Sequence, residues 1–412
     1  MTTELRVLLP AEWADWYGKL ERAFGGVLET DEERGVYRDL TEAAGYERFI
    51  GAWDGDECVG TAGAFDFRLS VPGGAFVPAA GVTMVSVAGT HRRRGVLTSM
   101  MRRQLDDVRA WGEPLAVLTA SEPAIYGRFG YAAATRQLKA EIDTDRVSLA
   151  MPEGVEGVRL RYVDPQAAAE RCEAVYAASI GSRPGMPART AHWDRLPLLD
   201  PPADREGASA LQCVLAERDG ETVGYVRFHI KPDWDASGPK GTVMLRNLDA
   251  LDPVAYAALW RFLFSIDLTS TVQVHNRPVD DPWQYLASDI RRCGLRERDS
   301  LHVRLVDVGA ALEARTYLTP VDVVFEVEDA FCPWNSGRWR LSGNSKGASC
   351  TRTEDAADLA LTVRELGAAY LGGVSLSALA GGGFVREVRQ GALSEASVAF
   401  GSDVAPWLPH GF

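Results

Sequence analysis

The sequence runs to 412 residues, more than a single hydrophobic core commonly serves, which predicts two or three domains. Hydrophobic residues make up 46% and charged residues 25%, excluding a disordered, fibrous or collagen-like chain. A formal net charge of −13 argues against a nucleic-acid partner, whose phosphates need a basic surface; it suits a cationic one, although acidity for solubility is the plainer account. The opening MTTELRVLLPAEW has no basic region followed by a long apolar run, and no stretch approaches the roughly 20 apolar residues that span a bilayer, so a cytoplasmic protein with no membrane partner is expected. Cys58, Cys172, Cys213, Cys293, Cys332 and Cys350 lie far apart, with no CxxC pair or zinc-finger spacing, and read as reduced, mostly buried thiols.

LRVLLP reads as a short strand, and AEWADWYGKLERAFG as a helix with Trp13, Trp16, Leu20 and Phe24 at helical spacing, stopped by Gly25 and Gly26. Glu29, Asp31, Glu32 and Glu33 read as a solvated loop rather than an acidic acceptor rim. From ERFIGAWD to VSVAGT, β-branched and aromatic runs broken at Asp54-Gly55 and Gly73-Gly74 predict three or four antiparallel strands. HRRRGVLTSMMRRQLDDVRAWG predicts a helix with Val96, Met100, Met101, Leu105 and Val108 facing inward, closed by Gly112, and LAVLTA returns as a buried strand. An α/β domain over 1–150 follows, with MPEGVEG as a linker.

A second cycle is expected over 151–299, because VLAERDGETVGYVRFHI repeats the pattern of FIGAWDGDECVGTAGAF, with Val223-Gly224 answering Val59-Gly60. Where the first copy has the basic turn Thr90 to Gly95, the second has an acidic one, Leu248 to Pro253, which cannot attract a pyrophosphate. The copy is therefore expected to be degenerate. From about residue 300 the pattern shifts to a smaller α+β domain, whose apolar helical stretch reads as ordinary core before lipid cavity.

The chemistry centres on GVTMVSVAGTHRRRGVLTSMM, where a strand runs into a basic, glycine-containing turn and then a helix. A helix N-terminus leaves about four N–H groups unpaired and carries roughly half a positive charge. With Arg92, Arg93 and Arg94 beside it, such a turn suits a pyrophosphate, while Gly95 lets phosphates approach the backbone and Val85 to Val87 offer peptide groups to an extended pantetheine arm. Taken alone, the triple arginine reads equally as a solvated charge run, and Tyr126 as a packed aromatic.

Arg92-x-x-Gly95 resembles the coenzyme loop of the GNAT acetyltransferase superfamily, although Leu97 stands at the position of a small residue. SEPAIYGRFGY resembles that family's second element, with Tyr126 followed by Gly130 and Tyr131. THRRRGVL, SEPAIYGRFGY and ALEAR over 311–315 together resemble the Eis group, along the whole chain. The resemblance implies two tandem GNAT-type domains, the second degenerate, and a sterol-carrier-protein-like α+β domain over 300–412. It also implies acetylation of amines by acetyl-CoA, aminoglycosides at several positions above all, in a homohexamer. Carried over by residue, it assigns coenzyme binding to Val85, Ser86, Val87, Arg93, Arg94, Gly95, Val96, Leu97, Thr98, Ser121 and Glu122, proton donation to Tyr126, and the role of base to the C-terminal carboxylate on Phe412. Gly411 stands where one member of the group has an acidic residue.

Without HExxH, GxSxG or a Walker loop, no metal site or alternative hydrolase is expected. Two rival readings keep part of this pattern: an acetyltransferase for protein lysines or polyamines, and a catalytically silent coenzyme- or lipid-binding protein.

Overall fold

A computed structural model describes residues 3–26 and 29–412. The chain divides into two compact units: the first comprises 1–135, 183–192 and 299–412, the second 136–182 and 193–298.

In the first unit, β1 (Glu4–Val7), β2 (Phe49–Asp54), β3 (Glu57–Ser70), β4 (Phe76–Val87) and β5 (Leu115–Thr119) lie side by side in chain order. All neighbours are antiparallel except β4 and β5. α1 (Trp13–Ala23) buries Trp13, Trp16 and Leu20, and α3 (Val96–Ala110) buries Val96, Met100, Met101, Leu105 and Val108, as the helical spacing predicts. The acidic run expected as a loop instead opens a further helix, α2 (Asp31–Ala44). Thr30 and Glu33 form a reciprocal capping box there, so the carboxylates of Asp31, Glu32 and Glu33 sit where the helix dipole favours negative charge. Glu29 accepts a hydrogen bond from the Tyr17 hydroxyl at 2.6 Å.

The boundaries expected at 150 and 300 do not match the sheets. Leu301–Leu305, wholly buried, pairs antiparallel with β5 and then with β6 (Ala132–Ala133), completing the first sheet from beyond the expected start of the last domain. Arg136–Asp143, expected in the first domain, instead pairs with Thr269–Arg277 in the second unit's seven-stranded sheet. The expected linker is also part of that unit, since Val155 is buried in its core beside Val147 and Val158. Local pattern marks a strand but does not choose its partner, so the sheet that each of these strands joins does not follow from its sequence.

The repeat itself holds to the level of register. Ala52 opposes Gly60 before a bulge at Trp53, and Ala216 opposes Gly224 before a bulge at Glu217. In the second unit the strand Gly241–Ala250 leads through Asp252 into the helix Pro253–Phe264. Cys172 and Cys213, 41 residues apart in sequence, come within 4.0 Å at their sulfurs, and the six cysteines are free and buried.

The C-terminal part of the first unit carries a five-stranded sheet in the order Gly347–Arg352, Gly337–Asn344, Val321–Glu328, Leu359–Thr362, Val385–Glu387, with the helices Val308–Glu313, Val363–Ala369, Leu376–Gly381 and Ala392–Ala399. Among the described residues no helix is long and apolar enough to cross a membrane.

Candidate active site

β4 and β5 pair only from Ala79/Leu115 to Gly81/Val117. Beyond Gly81 the two strands are no longer joined, leaving the far half of β4 with a backbone edge that β5 does not cover. A bulge in β4 reinforces the divergence: Thr61 opposes Ser86 and Gly63 opposes Thr83, so β4 carries one extra residue there, and Met84 takes a left-handed φ of 53°. The bulge is held from β3. Thr61 Oγ1 donates to the Met84 carbonyl at 2.7 Å and lies 2.7 Å from the Ser86 hydroxyl, which therefore donates to it. The Ser86 side chain is thus occupied within the sheet.

The divergence opens into a cavity of about 680 Å³. Val85, Ser86 and Val87 line it from β4, and Arg93, Gly95, Val96, Leu97 and Thr98 from the turn and the start of α3. Ser121, Glu122 and Tyr126 line it from beyond β5, and Phe412 from the end of the chain. Of the residues expected at the site, only Arg94 is absent from the lining. Met84, Phe24 and Arg128, to which the sequence assigns no role at the site, also line it, as do His91 and Arg92 of the basic turn, which the family resemblance does not assign to the coenzyme. Arg92 and Arg128 lie inside the two motifs and were legible by position, whereas nothing local marks Met84 as the bulge residue or turns Phe24 toward the site.

The turn before α3 is built for an anion. Arg93 and Gly95 both adopt left-handed conformations, with φ of 62° and 83°, and no side chain caps the first turn of the helix. The N–H groups of 96–98 therefore remain available beside Arg92 and Arg93. Space does not dictate Gly95, because a Cβ there would meet nothing within 4 Å; the positive φ does. His91, within the basic turn, fastens it on two sides: its Nε2 lies 3.1 Å from the Asp54 carboxylate and its Nδ1 2.8 Å from the Thr90 hydroxyl. Since a carboxylate only accepts, Nε2 is the donor to Asp54.

The second unit shows the same helix start closed off. Asp252 accepts from the N–H groups of Val254 and Ala255, each at 2.9 Å, and pairs with Arg218 at 3.1 Å. A side-chain carboxylate occupies the position that a phosphate would take, so this copy has the fold without the anion site.

Tyr126 ends α4 (Pro123–Tyr126) and is half-buried on the cavity wall. Burial, with a smaller contribution from the Glu122 charge, pushes its phenol above the ordinary range, which keeps it protonated as a donor. Behind it Tyr131 packs edge-on, with ring centroids 6.1 Å apart. Gly130 between them has a φ of 88°, and a Cβ there would stand 2.7 Å from Arg304 Nε, so glycine is required both by conformation and by the arginine beneath. Phe412 lines the cavity with its ring edge-on to Phe67 at 4.8 Å, and Phe67 in turn lies across Gly81, where the strands part.

Residues 4–134 and 185–305 each match the acetyltransferase (GNAT) domain, and 308–409 match the sterol carrier protein domain. An "uncharacterized N-acetyltransferase" of Streptomyces avermitilis is 69% identical over 412 residues, spanning 100% of both chains. N-acetyltransferase Eis of Mycobacterium tuberculosis is 34% identical over 366 residues, 86% of each chain. The crystal structure of Eis1 from Mycobacterium abscessus superposes with a TM-score of 0.85 at 34% identity, covering 100% of both chains. The chain belongs to the Eis-like N-acetyltransferases of the GNAT superfamily.

Proposed function

We propose that this acetyltransferase moves the acetyl group of acetyl-CoA to primary amines, aminoglycosides at several positions among them, by direct attack of the amine. The observation that supports this reading best is one cavity bordered by an open helix N-terminus, a free strand edge, a phenol and the end of the chain. The residues suit the coenzyme: Arg92, Arg93 and the N–H groups of 96–98 complement a pyrophosphate, and the β4 edge complements an extended amide-bearing arm. Acetyl-CoA supplies the activated acetyl group as a thioester.

A free alkylamine has a pKa of about 10.4, so nearly all of it is protonated at pH 7, and removing that proton costs roughly 4–5 kcal/mol. The carboxylate on Phe412 takes the proton, directly or through water, and orients the cation beforehand. A backbone N–H near Val85 stabilises negative charge as it grows on the carbonyl oxygen. Tyr126 gives its proton to the departing sulfur. The partner is thus a cationic amine, with neither a nucleic acid nor a membrane taking part; the family resemblance adds a homohexamer, and the sequence's lack of a leader-like opening or spanning run adds a cytoplasmic setting.

The test is thiol release from acetyl-CoA with an aminoglycoside panel, a polyamine and a lysine peptide. Turnover with aminoglycosides that falls about 10²–10⁴-fold in Tyr126→Phe, and also falls when 410–412 are deleted, is the expected result. Because the Tyr126 phenol is raised, its loss of protonation lies above pH about 10, and kcat/KM should rise from neutral pH without an alkaline fall below that point. Coenzyme binding with no turnover on any amine would overturn the reading.

A further inference from the structure

We infer that residues 183–188, a short arm drawn from the middle of the chain, position Phe412 for catalysis by clamping the C-terminal tail to β3. The inference rests on the reading of Phe412 as the bearer of the base.

On one side the arm is fastened to Ser70 at the end of β3. The Ser70 N–H donates to the Met186 carbonyl at 3.0 Å, and its own carbonyl accepts from the Gly185 N–H at 2.8 Å. Its hydroxyl donates to the Arg183 carbonyl at 2.7 Å and accepts from the Met186 N–H at 2.9 Å. Pro187 and Ala188 then pair with Leu69 and Arg68 as a short added strand. One residue thus makes four hydrogen bonds to an arm more than a hundred positions away.

On the other side the same arm holds the tail. The Trp407 N–H donates to the Pro184 carbonyl at 2.9 Å, and the Arg183 guanidinium donates to the Ala405 carbonyl. Gly185 has a φ of 93°, and a Cβ there would stand 3.0 Å from the Trp407 carbonyl oxygen. Trp407 and Leu408 are buried, and Pro406 lies against Gly373, where a Cβ would come 2.6 Å from its ring. From that anchored root the chain needs only a few residues to bring Phe412 onto Phe67, which also belongs to β3. The His410 imidazole on the way is pushed down to about 3 by burial and by the nearby Arg189 guanidinium, so it adds no charge beside the site at neutral pH.

β3 therefore holds the tail at its root, through the arm, and at its tip, through Phe67. A base on a loose tail would lose the proximity on which a directly attacking amine depends, and displacement by about 1 Å costs up to about 10²-fold.

Gly185→Ala and Arg183→Met, with Arg183→Lys as the conservative control, test this beside the form lacking 410–412. Acetyl-CoA affinity should stay within about twofold while kcat at pH 7 falls about 10–100-fold, and the deficit should narrow toward pH 10, where much of the amine is neutral without a base. Arg183→Lys should recover part of the loss. If Gly185→Ala does not fold, Arg183→Met with an unchanged thermal melt decides. A tail deletion that abolishes turnover while Arg183→Met keeps kcat within twofold at every pH overturns the clamp and leaves the role of Phe412 intact. A tail deletion without effect removes that role, and the clamp with it.

Discussion

Two tyrosines of one motif, five positions apart, have different fates. Tyr126 lines the cavity, whereas Tyr131 is buried behind it, and among the described residues the Tyr131 hydroxyl has no hydrogen-bond partner. Burial pushes its phenol far above the usual range, so it is a packing ring with a polar atom to spare. Tyr131→Phe should keep turnover within about twofold and leave stability unchanged or raised by up to about 1 kcal/mol, because a buried unpaired hydroxyl costs rather than contributes. Denaturant midpoints and steady-state rates check this, and a loss comparable to that of Tyr126→Phe would move the proton donor to Tyr131. The motif was readable because its tyrosine, glycine and aromatic residue are close in sequence. That Gly130 rides on Arg304 was not readable, since the two are 174 positions apart.

At the level of elements, the contrast between the two helix starts explains why one repeat kept an anion site. Gly95 supplies a left-handed turn and no cap, and Asp252 supplies a cap and no vacancy. Asp252→Ala should lower stability by about 1 kcal/mol, as the loss of an N-cap does, without adding a second coenzyme site; calorimetry should still count one acetyl-CoA per chain. Burial raises the Asp252 carboxyl, but the N–H groups of Ala255 and Val254 and the Arg218 guanidinium outweigh it, leaving it below the usual range. A carboxyl lowered in the folded state stabilises above its unfolded pKa and loses that contribution as pH falls through the folded one. The effect of Asp252→Ala should accordingly be present at pH 7 and shrink in acid, which unfolding curves at both pH values would show.

Across the whole molecule, the C-terminal part of the first unit is tied to the catalytic turn through one buried ion pair. Arg304 comes from the strand that completes the first sheet, and Asp329 follows a strand of the five-stranded sheet; they meet at 2.6 Å with side-chain exposures of 0% and 1%. Asn335 Nδ2 also donates to Asp329 at 2.9 Å, and the Arg304 guanidinium donates to the Leu305 carbonyl at 2.8 Å. Asp329→Ala would leave a buried guanidinium uncompensated, at a cost of about 3–5 kcal/mol in urea unfolding, while replacing both partners by apolar residues of similar size should recover most of it. Because Arg304 underlies Gly130, the single replacement should also reduce kcat, and a fully active Asp329→Ala protein would disprove the link.

The sequence by itself determined what short-range chemistry determines. The left-handed glycine before α3, the inward stripe of that helix, the tyrosine motif and the paired Val-Gly hairpins all lie within windows where backbone geometry and side-chain period act directly. The capping box at Thr30 and Glu33 is equally local, although the run of acids around it also suits a solvated loop. Tertiary packing is what puts 301–305 in the first sheet and 136–143 in the second, bulges β4 at Met84, and brings Phe412 and Tyr126 to the same cavity. A strand's alternation fixes which face is buried but leaves its partner open, and no local preference carries a chain end across more than two hundred residues to an arm at Pro184.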